Sequence, residues 1–112
     1  MHIQKLLAIV LLGLSLSAAA DFTTITEAYE VKASDLRLPG AAGGTVTFKQ
    51  CANCDAETVR VNSRTRYVVN GRDLELDEFK VRFGTISRPR EETVTVLHHL
   101  ESNTIAAIKV RF

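Results

Sequence analysis

E-T-V-R-V-N-S-R-T-R-Y-V-V-N-G-R-D-L-E-L, residues 57–76, is the stretch whose reading decides the fold. Val59 and Val61 alternate with Thr58 and Arg60, Tyr67 and Val69 with Arg66 and Val68, and Leu74 and Leu76 with Asp73 and Glu75. Three runs of period two are the pattern of half-buried strands. Between the second and third lies Asn70-Gly71, a pair that reaches the two positive φ angles of a type I′ turn at little cost. The stretch predicts an antiparallel meander of three strands.

Working outward, Val46 and Phe48 alternate with Thr45, Thr47 and Lys49, a strand expected to pair with Thr58–Val61 across a bend at 52–56. Further upstream, Pro39-Gly40 and Gly43-Gly44 punctuate a loop beginning at Ser34, from which Leu36 and Leu38 fold back onto the core. A first strand falls within Ile25 to Ala33. Downstream, Leu76–Phe79 predicts one helical turn, with Asp77 and Glu78 at its N-terminal end and Phe79 dropping into the core. Gly84 to Glu92 is a long polar connection, expected to be mobile. Thr93–Leu97 and Ile105–Phe112 then form a closing hairpin around turn residues 101–104. The sum is an all-β fold: a small single-domain antiparallel β-barrel, OB-like and half-open, or a sandwich, of six to seven short strands.

Thr65, Tyr67, Asn70 and Gly71, then L-x-L-D-E-F from Leu74 to Phe79 and the closing V-T-V and I-x-V runs, resemble small OB-like β-barrel domains of unknown function in exported bacterial proteins. The resemblance covers about Thr45 to Phe112. It implies a fold and brings no catalytic residues with it.

Residues 1–20 read as a cleaved signal peptide: Lys5, an apolar run from Leu6 to Leu16, and Ala18-Ala19-Ala20 before Asp21. A run of about eleven residues at about 1.5 Å each is too short for a hydrocarbon core of about 30 Å, so no membrane span is expected. Residues 21–112 are then a single β domain, periplasmic or secreted. Loss of Lys5 leaves thirteen basic side chains against thirteen acidic. No net charge remains to attract nucleic acid. The arginines between Arg60 and Arg90 are interleaved with Glu57, Asp73, Glu75, Asp77 and Glu78, a mixed-sign solvated surface. Most aromatic residues sit at core parity, unlike the exposed stacking rings of single-strand readers.

Cys51 and Cys54 are the only cysteines. In an oxidising compartment they are each other's partner, a disulfide stapling the bend between two strands. Haem attachment would require His after the second cysteine, where Asp55 stands. A redox pair requires a helix N-terminus, whereas strands flank this motif. A metal would require two further ligands, and His98 and His99, adjacent on a strand, point to opposite faces. By parity His98 lies at the edge of the core and His99 in solvent. No catalytic residue, metal ligand or cofactor is assigned.

Arg88 and Arg90 flank Pro89, which favours an extended residue before it and presents both guanidinium groups as donors, with Glu91 and Glu92 beside them as local counter-charges. They are the candidate partner-binding residues. The functional expectation is a non-catalytic periplasmic or secreted binding module whose partner is an envelope protein or other envelope component. The alternative is a thiol redox or metal-handling protein using Cys51 and Cys54.

Overall fold

The computed structural model describes residues 25–112; the predicted leader lies outside them. The elements are β1 (Thr26–Lys32), a single 3-10 turn (Ala33–Asp35), β2 (Leu36–Arg37), β3 (Thr45–Phe48), β4 (Glu57–Arg60), β5 (Arg66–Val69), β6 (Arg72–Leu74), α1 (Leu76–Gly84), β7 (Thr93–His99) and β8 (Thr104–Val110). The class is all-β with one short helix. All eight strands join one sheet in the order β1-β7-β8-β4-β3-β2, with β5 placed on β8 and β6 on β5. The two ends of that path, β1 and β2, are consecutive in the chain, so the sheet curls back on itself without hydrogen-bonded closure. The rings of Tyr29 on β1 and Phe48 on β3 meet at 5.6 Å inside the curl.

The interior is filled by the alternating apolar residues. Val31, Val46, Phe48, Val61, Phe79, Val94, Val96, Ile105 and Ile108 are all buried, with Tyr67, Val69 and Val110 beside them. Each such side chain contributes about 1.5–3 kcal/mol by leaving water. Leu36 is buried, and Leu38 packs partly against the same cluster.

The expected hairpins β3–β4, β5–β6 and β7–β8 form. Asn70 and Gly71 have φ of 52° and 83°, as a type I′ turn demands. The meander as a whole does not. β4 and β5 do not pair with each other; both lie parallel to β8, β4 through Arg60 opposite Thr104 and β5 through Arg66–Val69 opposite Ala107–Val110. The link 61–65 therefore steps the chain sideways instead of reversing it. Alternation fixes which face of a strand is buried, and says nothing of which strand lies beside it.

α1 has nine residues where one turn was expected. Phe79 and Phe83, four apart, stack at 6.1 Å, and Phe79 meets Tyr67 at 5.4 Å, so the apolar stripe continues past the first turn. Gly84 is its last residue, and the Thr85 hydroxyl donates to the Arg82 carbonyl at 2.6 Å. Among the described residues no helix is long and apolar enough to cross a membrane.

Candidate binding site at the fork of the sheet

β8 changes neighbours along one edge, from β4 at Thr104 to β5 at Ala107. Opposite that gap a β-bulge interrupts its pairing with β7, which runs Leu97 to Ala107 and then His98 to Ile105 and so leaves Ala106 unpaired. Bulges re-aim side chains and end local pairing. Here the two irregularities coincide and open the sheet.

The link 61–65 covers the opening and is fixed by its own polar groups. The Arg64 N–H donates to Asn62 Oδ1 at 2.9 Å, the Asn62 N–H to Thr65 Oγ1 at 3.0 Å, and the Thr65 N–H to the Asn62 carbonyl at 3.1 Å. The Thr65 hydroxyl in turn donates to the Ile105 carbonyl at 2.7 Å, joining the link to β8 where the ladder is interrupted. Asn favours such a turn because its side chain mimics a backbone carbonyl.

Two open cavities of about 400 and 360 Å³ flank this link and share Asn62, Arg64 and Arg66. The larger is also lined by His99, Ser102, Ile105 and Ala106, and none of its lining residues is acidic. Arg64 has no ion-pair partner among the described residues; Arg66 bridges to Asp73 at 3.0 Å, with both side chains exposed. The pair is bidentate, Nε to Oδ1 at 3.0 Å and Nη2 to Oδ2 at 3.3 Å, which commits Arg66 to Asp73 and leaves Arg64 as the unengaged guanidinium at the cavity. His99 Nδ1 lies 2.9 Å from Ser102 Oγ and accepts the Ser102 N–H at 3.3 Å. With Nδ1 accepting, the neutral ring carries its proton on Nε2. The wall is a set of donors over an apolar floor, a chemistry suited to an anionic group on a small apolar body.

The residues singled out from the sequence lie elsewhere. Cys51 and Cys54 are joined at disulfide distance, with Cα atoms 5.0 Å apart, in the β3–β4 connection, where the Cys54 N–H also donates to the Cys51 carbonyl at 3.2 Å. Arg88 pairs with Glu91 at 3.4 Å. The segment around them is clamped to the 3-10 turn: the Ala33 N–H donates to the Glu92 carbonyl and the Ser34 N–H to the Pro89 carbonyl, both at 2.9 Å. These bonds give the connection a structural reason for its length, where a mobile loop was expected.

His98 is half-buried, with Nε2 2.8 Å from Asn103 Oδ1, while its Nδ1 is buried without a partner among the described residues. Among the described residues, no group of three or more His, Cys, Asp or Glu is placed to hold a metal ion. Comparison with protein families, curated proteins and solved structures found no match to this chain. The fork residues were missed in the sequence because N-S-R-T reads as a plain hairpin turn. Asn62 and Thr65 three apart were the available signal, and the opening they cover is made by strands far off in the chain.

Proposed function

We propose that this domain is a non-catalytic binding module of the periplasm or secreted fraction that captures an anionic group of an envelope protein or other envelope component at the fork of the sheet. One observation supports the reading above others: the backbone of Arg64 is fixed by the hydrogen-bonded turn, and its guanidinium, without an ion-pair partner among the described residues, lines the larger cavity, which has no acidic lining residue. Preorganisation lowers the ordering cost of binding. The test is an NMR titration with succinate and with inorganic phosphate. Binding should perturb Arg64, His99 and Ala106 and weaken at least ten-fold in Arg64→Ala. The Arg88→Ala/Arg90→Ala protein serves as the comparison; if it loses binding and Arg64→Ala does not, the site is the turn at 88–92. The alternative, a thiol redox or metal-handling protein, draws on the exposed position of Cys51. Thiol counting and metal analysis of protein purified from the periplasm separate the two: a readily reduced pair or bound metal favours the alternative.

A further inference from the structure

β6 ends one arm of the sheet, pairing with β5 alone. In a hairpin with a two-residue turn, Val69 and Arg72 exchange hydrogen bonds, and so do Tyr67 and Leu74, which turns the N–H and C=O of Asp73 toward the open edge. Beside β6 stands α1, held against β5 by Phe79. Two cavities of about 240 and 250 Å³ lie along them and share Leu74, Glu78 and Arg82. One extends to Arg72 near the hairpin turn, the other to Val81, which is 70% exposed although apolar. Among the residues lining these cavities Arg72 and Arg82 face the one carboxylate of Glu78, and the carboxylate of Asp73 is taken up by Arg66. Arg82 also lies 5.4 Å above the ring of Phe112, itself half exposed.

An open strand edge offers main-chain pairing to an extended peptide, and the exposed Val81 and the two guanidinium groups beside it suit alternate apolar and acidic side chains. We infer that the groove between β6 and α1 binds an extended segment of another protein, paired to Asp73 through its backbone, with an apolar side chain on Leu74 and Val81 and a carboxylate at Arg72 and Arg82. Three residues make a short edge, so the pairing supplies orientation and the side chains select the sequence. Asp73 and Leu74 also line the smaller cavity beside the link 61–65, but Arg64 and His99 take no part here, so Arg64→Ala separates the two readings.

The probes are a decapeptide alternating valine with glutamate and its counterpart alternating valine with lysine, followed by NMR. The glutamate peptide should shift the amides of Asp73, Leu74 and Val81 and slow hydrogen exchange at Asp73, and the lysine peptide should do neither. Val81→Asp, at an exposed position, should weaken binding at least ten-fold. Arg72→Glu/Arg82→Glu should exchange the preference, provided its amide spectrum retains the wild-type fold; Arg82→Gln alone, which should weaken glutamate-peptide binding, covers the case that it does not. Equal binding of the two peptides, or shifts confined to other strands, would overturn the inference. So would self-association by sedimentation velocity that Val81→Asp abolishes, since the groove would then be filled by a second copy.

Discussion

The two hairpins that flank the fork solve the same problem differently. β5–β6 reverses in two residues, and its turn is tied down twice: the Asn70 N–H donates to the Val110 carbonyl at 3.0 Å, and Asn70 Oδ1 accepts the Phe112 N–H at 2.9 Å. β3–β4 reverses through eight residues, 49–56, mostly exposed, with a disulfide across their middle. The first hairpin has four residues in register with β8, the second only one. Backbone geometry and neighbours hold the one, and a covalent link with Val46, Phe48 and Val59 beneath it holds the other. A tight turn suffices where a long strand waits alongside; a loose one is stapled.

The comparison breaks most sharply at Gly71. A Cβ there meets no atom within 4 Å, so the whole cost of a side chain is the φ of +83°. Gly71→Val should lose about 1 to 3 kcal/mol in denaturant titration, while Gly71→Asn should lose much less, because asparagine tolerates positive φ. Equal losses would mean that side-chain volume, and not backbone conformation, matters at the turn. In the other hairpin, Cys51→Ser/Cys54→Ser should cost at most about 2 kcal/mol, the loop-entropy value for so short a ring, and leave a folded β-rich domain. Loss of the fold would show that the staple supports more than its own bend.

At the joint between them, Thr65→Val removes the hydroxyl that reaches the Ile105 carbonyl and should cost about 1 kcal/mol. A far larger loss would make the link 61–65, and not either hairpin, the keystone of the sheet.

The smallest effect is alkaline. Tyr29, whose ring meets Phe48 of the β3–β4 hairpin, donates to Glu27, and that carboxylate, followed by burial, pushes its phenol up from 10.0 to about 12. Tyr67, on β5, is pushed up by burial, and its hydroxyl is buried without a partner among the described residues. Both are protonated more firmly folded than unfolded. Their contribution is intact below pH 10 and fades above it, toward pH 12 for Tyr29. Ultraviolet titration should find two late phenols in the wild type and one in Tyr29→Phe; an ordinary titration of Tyr29 would remove the Glu27 bond from the account.

Much of this was legible because the signals are local. Val46, Phe48, Val59, Tyr67, Val69, Val94 and Val96 have the burial that their parity predicts, and Asn70-Gly71 is the turn its chemistry specifies. The parallel neighbours of β8 were not legible, because residues 60 and 66 carry no mark of residues 104 and 107. The helix ran past its expected end because Phe83 repeats the Phe79 contact one turn on. The fork inherits both difficulties: its arginines are visible, while its opening exists only after distant strands meet.

That dependence on β8 governs how the chain folds. Thr26 pairs with His99 and Lys32 with Thr93, and both internal hairpins reach β8 only across some forty residues or more. These pairings join distant segments, so loop closure precedes the contacts that compensate it, and slower folding than that of a helical domain of this size is expected in stopped-flow refolding. Until Thr104–Val110 is available, β4 and β5 have no common neighbour. A chain interrupted before Thr104 is therefore expected to keep the β3–β4 and β5–β6 hairpins with no strand to join them.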